Sequence, residues 1–112
     1  MSCLFCSIAE GTIPSQKAYE DDLCLVFHDI SPQAPIHLLV IPKEHIESVA
    51  AVTEENASLV AHMMTVIAKL AGELGLDSGF RVVSNCGKDA QQSVPHLHFH
   101  LLAGRELGWP PG

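Results

Sequence analysis

Pro95-His96-Leu97-His98-Phe99-His100-Leu101-Leu102 is the most informative segment of the sequence, because polar and apolar side chains alternate along it. Side chains of a β-strand point to opposite faces in turn. The stretch therefore predicts a strand with three imidazoles on one face and apolar residues on the other. Neighbours on one face lie about 6.6 Å apart, which lets adjacent imidazoles reach one ligand. Imidazole is both a nucleophile and a proton carrier near neutral pH, so the pattern indicates a chemical site.

Residue types alone leave three explanations for these histidines. A purely structural role is costly, because it buries three polar rings on one face. A zinc site built from all three is disfavoured, because the outer two lie about 13 Å apart on a straight strand. Two of the three remain able to bind one ion, and catalysis by imidazole is the third explanation.

The composition predicts one globular domain over residues 1–112, since 47% of the residues are hydrophobic and 17% are charged. A formal net charge of −7 disfavours nucleic acid or an anionic membrane as the partner, but backbone N–H groups can still bind a small phosphate ligand. The chain start lacks the features of a signal peptide, and no stretch approaches the roughly 20 apolar residues that span a bilayer. We therefore expect a cytoplasmic, reducing location, with the cysteines as thiols or metal ligands.

Hydrophobic spacing along the rest of the chain predicts an α+β fold rather than a parallel βαβ sheet. A long helix is expected over Thr53–Leu74, with Thr53 as its N-cap and Gly75 as its C-terminal stop. The near-continuous apolarity of residues 37–41 predicts burial on both faces. The other predicted segments are a brief helix within residues 1–17, strands over 23–27, 37–41 and 80–84, loops over 29–35 and 85–93, and an extended strap over 109–112.

The segment 93–102 resembles the signature of the histidine-triad (HIT) superfamily, in which histidines alternate with apolar residues. The resemblance extends through residues 27–35, 37–45 and 109–112, and so covers nearly the whole chain. It is closest to the histidine-triad nucleotide-binding proteins, which are purine nucleoside phosphoramidases. The resemblance implies a HIT-like fold, an antiparallel five-stranded sheet with one long and one short helix, and a homodimer with a continuous sheet. The alanines at 57, 61, 68 and 71 offer a small-residue stripe for such a contact.

The same resemblance implies a hydrolase that cleaves the P–N bond of nucleoside 5′-phosphoramidates through a nucleotidyl-histidine intermediate. His98 matches the family nucleophile, and Ser93 matches the serine that contacts the phosphoryl group and the leaving atom. His37 and His100 match the remaining catalytic histidines, which orient the nucleophile and stabilise the phosphoryl oxygens.

The implied ligand is a purine nucleotide of the AMP or GMP type. Asp29 matches a ribose-binding residue, although from the residues alone a turn or a helix cap explains it better. One departure concerns the phosphate loop, where Ala90-Gln91 stands in place of the Gly-Gly that relatives often carry. Ala and Gln resist backbone angles that glycine permits, so the loop shape and the leaving-group preference stay open. The other matched nucleotide-binding residues are Phe27, His28, Ile30, Asn85 and Gln92.

Cys3 and Cys6 have the spacing of a zinc half-site or of a redox dithiol. No strand precedes them as a redox motif requires, whereas a zinc site needs two further ligands. His45 and His96 are the candidates, and their positions resemble the Cys₂His₂ zinc sites of some histidine-triad proteins. Such a zinc would be closed and structural, and unligated buried thiols are the alternative.

Two other functions compete with the phosphoramidase. A dinucleoside polyphosphate hydrolase would use the same His98 nucleophile with a phosphate leaving group. A nucleotide-binding regulatory protein would have lost catalysis, which the complete set of His37, Ser93, His98 and His100 disfavours.

Overall fold

The structure, a computed structural model, describes residues 3–112, so residues 1–2 of the predicted N-terminal segment lie outside the described residues. Five strands form one antiparallel sheet in the order β1-β2-β3-β5-β4, and two α-helices accompany it. The α+β prediction is therefore confirmed. The elements are α1 (Leu4–Glu10), β1 (Lys17–Glu20), β2 (Cys24–His28), β3 (Ile36–Pro42), a short 3₁₀ helix (Val49–Ala51), α2 (Ala57–Glu73), β4 (Arg81–Val83) and β5 (Phe99–Ala103).

Strand β3 lies at the centre of the sheet and is buried on both faces, as its continuous apolarity predicted. Leu38 and Val40 face α2, where they pack in one apolar cluster with Met63. Alternate residues of β3 face the other way, into a smaller cluster with Phe5 of α1. The two helices thus cover opposite faces of the sheet, and α1 covers only part of its face.

Helix α2 begins later than predicted, at Ala57. Thr53 does not cap it, because the Thr53 N–H donates to Asn56 Oδ1 at 2.7 Å and a turn precedes the helix. Gly75 does end the helix, with φ +69° and a hydrogen bond from its N–H to Gly72 O. In the predicted alanine stripe only Ala71 is buried, so its other members are open to solvent.

Two differences from the predicted strands affect the edges of the sheet. Strand β1 was not predicted, because Lys17–Glu20 is short and largely polar and lacks an apolar alternation. Strand β4 is shorter than residues 80–84, since only Arg81–Val83 pair with β5. Along residues 3–112, no helix is long and apolar enough to cross a membrane.

The histidine stretch is not one straight strand. Strand β5 begins at Phe99, and the residues before it bend, since the His96 N–H donates to Val94 O at 2.8 Å. The Leu97 N–H donates to Ile46 O, outside the sheet. The predicted alternation nevertheless persists, because Leu97 and Phe99 pack on the α2 side while His96 and His98 contact Phe5 of α1.

Candidate functional site

Backbone hydrogen bonding fixes the tautomer of His98, which is only 4% exposed. His98 Nδ1 lies 2.7 Å from His96 O, and a carbonyl oxygen can only accept, so Nδ1 carries the proton. In the neutral ring, Nε2 then has a free lone pair. His98 therefore presents an unprotonated ring nitrogen that can act as a nucleophile.

A second chain of contacts fixes His37 and His100. The Gln33 N–H donates to His37 Nδ1 at 3.0 Å, so His37 Nε2 carries the proton. That nitrogen lies 2.8 Å from His100 Nδ1 and donates to it, which leaves the proton of His100 on Nε2. His100 is thus a hydrogen-bond donor through Nε2, as the stabilisation of a phosphoryl oxygen requires.

Both rings of this pair are neutral at neutral pH. Burial, together with the neighbouring His98 and His37, lowers the pKa of His100 to about 4. Burial also lowers the pKa of His37, against the opposing effect of Asp29, whose Oδ2 lies 3.5 Å from His37 Nε2. The donor and acceptor pattern of the pair therefore holds throughout the neutral range.

Phe5 packs against His98, a contact that was not identified from the sequence. Its ring meets the His98 ring edge-on at a centroid distance of 5.0 Å and the Phe27 ring at 5.6 Å. The spacing of Phe5 and Ile8, one helical turn apart and both buried, was the available signal. Phe5 restricts the His98 ring from the side opposite α2.

The predicted base and ribose residues differ in exposure. Phe27 is buried, whereas Ile30 is 98% exposed and His28 is exposed at the end of β2. Asp29 Oδ1 accepts the Ser31 N–H at 2.7 Å, which is the turn role that residue type alone indicated. Its other oxygen faces His37, so Asp29 joins the turn to the histidine pair.

The predicted phosphate loop is braced by its own side chains. Asn85 Nδ2 donates to Ala90 O at 2.7 Å. Gln92 Oε1 accepts the Gly87 N–H at 3.0 Å, while its Nε2 donates to Glu47 O and Val94 O. The departure from Gly-Gly is visible here, because Gln91 adopts the left-handed conformation with φ +63°.

Three of the predicted catalytic residues line two different cavities: His37 and His100 line one, and Ser93 lines the other. A shallow cavity of about 230 Å³ is lined by His37, His100 and Asn85, together with Gln33 and Arg81. Ser93 lines a different cavity, of about 700 Å³, beside the cysteine cluster. The structure thus brings His37, His100 and Asn85 together and puts Ser93 on another side of the site.

Cys3, Cys6, His45 and His96 converge, with one ligand atom of each lying within 4.8 Å of the others. His96 Nδ1 lies 3.2 Å from His45 Nδ1, 3.4 Å from Cys3 Sγ and 3.5 Å from Cys6 Sγ. Tetrahedral zinc, with Zn–N near 2.0 Å and Zn–S near 2.3 Å, separates such ligand atoms by about 3.3–3.8 Å. The spacing of the four atoms fits that geometry.

Hydrogen bonding prepares His96 for such an ion. His96 Nε2 lies 2.9 Å from Pro42 O and donates to it, so the lone pair is on Nδ1, the atom that faces the cluster. In the protein alone, burial and the neighbouring Cys3 raise the pKa of Cys6 to about 11. A bound cation reverses this effect by stabilising thiolates, so the donor set suits zinc.

Comparison with known proteins agrees with this arrangement. The family model described as "Scavenger mRNA decapping enzyme C-term binding" matches residues 2–107. An uncharacterized HIT-like protein from Synechococcus elongatus is 47% identical over 109 residues, which cover 97% of this chain and 96% of the relative.

Solved structures of other proteins also resemble this chain in sequence and in fold. A HIT family hydrolase from Legionella pneumophila is 46% identical with a TM-score of 0.97, over 99% of this chain and 100% of the other. A histidine triad nucleotide-binding protein from Candida albicans is 36% identical with a TM-score of 0.82, over 97% of this chain and 83% of the other. From its signature, its fold and these matches, the chain belongs to the histidine-triad (HIT) superfamily.

Proposed function

We propose that this protein is a purine nucleotide-binding hydrolase that cleaves the P–N bond of nucleoside 5′-phosphoramidates. The observation that carries the proposal is the backbone-fixed tautomer of His98, which directs a free Nε2 lone pair away from His96 O. The neutral donor His100 stands beside it, at a ring-centroid distance of 5.1 Å. The hydrolase from Legionella pneumophila and the nucleotide-binding protein from Candida albicans support the same class of chemistry.

The proposed reaction has two steps. His98 Nε2 attacks the α-phosphorus, the P–N bond breaks, and the nitrogen leaves as a free amine after it takes a proton from water through the Ser93 hydroxyl. Water then attacks the phosphorus of the nucleotidyl-histidine, which releases the nucleoside monophosphate and a proton and restores His98. His100 Nε2–H donates to a phosphoryl oxygen in both steps, and His37 holds His100 in the required tautomer.

The test is a comparison of substrates with acid-quench mass spectrometry of the protein. We expect AMP release from adenosine 5′-phosphoramidate with a kcat/KM at least about a hundredfold above that for diadenosine tetraphosphate, together with an adenylyl adduct on His98. The reverse preference would instead favour a dinucleoside polyphosphate hydrolase. AMP binding without turnover of either substrate would favour a regulatory protein.

We further propose one structural zinc ion per chain, held by Cys3 and Cys6 with His45 and His96. When bound, zinc supplies a cross-link between the start of α1 and the segment that leads into β5, and takes no part in the reaction. Free thiols also suit a cytoplasmic location, which we retain as part of the proposal.

The proposed homodimer uses one of the two edges of the sheet, the edge formed by β4. Strand β4 is an edge strand, and Val82 in it and Phe80 before it are 37% and 43% exposed. Pairing of β4 with its copy would make one continuous sheet, and the exposed alanines of α2 would lie in the same contact. Sedimentation equilibrium should give twice the chain mass, and a monomer at micromolar concentration would contradict it.

A further inference from the structure

A cavity of about 700 Å³ is lined by Ser93, and the proposed mechanism uses no other residue of its wall. Its apolar lining comes from Leu4, which is 49% exposed, and from Val94 and Pro95. Three residues of the cysteine cluster form another part of its wall. Such a volume suits an organic group larger than ammonia.

The position of Ser93 identifies the part of a substrate that faces this cavity. Ser93 lines the cavity, whereas His37 and His100 line the separate cavity on the side of Asp29. In the proposed mechanism Ser93 serves the leaving nitrogen, and Asp29 serves the ribose. The cavity therefore lies on the leaving-group side of the phosphorus.

Charge indicates which leaving groups the cavity favours. Among the described residues that line it, Glu47 has the one carboxylate, and none is a lysine or an arginine. The carbonyl of Glu47 accepts a hydrogen bond from Gln92 Nε2 at 2.8 Å, which ties this residue to the phosphate loop. Lys43, the nearest lysine in sequence, pairs with Glu20 at 2.8 Å instead.

We infer that this cavity is the leaving-group subsite and that Glu47 selects amines with an apolar chain and a second, positively charged group. The inference rests on the proposed function. Glu47 acts here as a specificity-determining residue, since its carboxylate attracts a distant ammonium and repels a carboxylate while the chain lies against Leu4 and Val94.

Three adenosine 5′-phosphoramidates of similar length test the inference. Their amines are 1,6-diaminohexane, hexylamine and 6-aminohexanoate, so the far end is cationic, neutral or anionic. We expect kcat/KM to fall in that order, with about a fivefold ratio between the cationic and anionic substrates at low salt. Glu47→Gln should bring the ratio close to one, and Glu47→Lys should invert it.

Glu44→Gln is the matched control, because Glu44 is an exposed acid of the same segment that does not line the cavity. It should keep the wild-type ratio. An equal response of all three substrates to both Glu47 variants would overturn the inference and leave the proposed function intact. Absence of AMP release from every amine, with active nucleotide binding, would instead overturn the proposed function on which the inference rests.

Discussion

The two faces of this sheet are built from the same strands but by different physical means. On the α2 face, side chains such as Leu38, Val40 and Leu101 are at most 1% exposed and pack against Met63 of the helix. On the α1 face, buried imidazoles lie between apolar neighbours, and backbone carbonyls and N–H groups satisfy their nitrogens. One face is held by apolar packing, and the other by directed hydrogen bonds.

The difference shows how one short segment serves stability and chemistry at once. Leu97, Phe99 and Leu101 anchor the segment to the α2 core, while His96, His98 and His100 point to the other side. Because adjacent residues serve different faces, substitutions one position apart should separate loss of activity from loss of stability. The predictions below test that separation.

The largest effect is expected at the nucleophile. His98→Ala should lower kcat for adenosine 5′-phosphoramidate at least about a thousandfold, because no other lone pair is directed at the phosphorus. AMP binding, measured by calorimetry, should persist. His62→Ala, a histidine substitution on α2, is the control and should keep kcat within about twofold. More than about 1% residual turnover by His98→Ala would contradict the mechanism.

On the α2 face of the sheet, a substitution is expected to lower stability and leave kcat nearly unchanged. Leu101 is fully buried, so Leu101→Ala should reduce the free energy of unfolding by about 3–5 kcal/mol through lost burial and a residual cavity. Under conditions where the variant stays folded, kcat should change by less than about threefold. Leu101→Met, which nearly conserves volume, should cost less than about 1.5 kcal/mol in urea titrations. A large loss of kcat in folded Leu101→Ala would show that the faces are not separable.

Zinc removal tests how the α1 face is held together. The double variant Cys3→Ser/Cys6→Ser should contain almost no zinc by elemental analysis, against about one per wild-type chain. With zinc at 100 to 1,000 times its Kd, the wild type should gain about 3–4 kcal/mol of stability that the variant lacks. Cys24→Ser and Cys86→Ser are the controls, since neither residue belongs to the cluster, and both should retain zinc. Metal-free wild-type protein after growth in zinc would contradict the site.

As pH falls, protonation of the buried His37 and His100 should begin to lower the free energy of unfolding before protonation of the Glu20 carboxylate does. The folded pKa of His100, about 4, and that of His37 lie below the ordinary histidine value near 6.5, so the unfolded state binds more protons as pH falls. Stability contributed by the neutral rings is therefore lost between about pH 6.5 and 4, at up to about 1.4 kcal/mol per pH unit for each proton. The carboxylate of Glu20, whose pKa its lysine partners lower from 4.5 to about 2, loses its contribution between about pH 4.5 and 2, mostly below that window.

Chelator-treated protein is the material for this measurement, so that zinc release does not add its own pH dependence. The slope of unfolding free energy against pH should be smaller in His100→Gln than in wild type. An identical slope in both proteins would show that His100 does not remain neutral in the folded state.

Features of the fold that depend on hydrophobic periodicity, or on the backbone preference of a single residue, could be predicted from the sequence. The alternation of residues 96–102, the double burial of β3 and the helix stop at Gly75 follow from such local rules, and the structure confirms them. The start of β5 could not be predicted the same way, because it depends on a hydrogen bond from Leu97 to Ile46, far along the chain.

Other features depended on tertiary contacts that no local pattern expresses. The ring of Phe5 meets His98 only because α1 folds back over the sheet. Asn56 forms a turn with Thr53, and this competing side-chain hydrogen bond displaced the predicted cap. In the candidate site, the approach of Asp29 to His37 and the bracing of the phosphate loop by Gln92 likewise appear only in the folded chain.

The smallest predicted effect concerns the one non-glycine residue with positive φ among the described residues, Gln91. Gln91→Gly should stabilise the protein by less than about 1 kcal/mol, because relief of the left-handed strain is partly offset by the greater unfolded-state entropy of glycine. Ala90→Gly, the neighbouring control without positive φ, should instead destabilise by about 0.4–1 kcal/mol. If local strain governs the loop, urea unfolding should show a rise in the free energy of unfolding for Gln91→Gly and a fall for Ala90→Gly. Equal destabilisation would mean that contacts of the Gln91 side chain make up for its strained backbone.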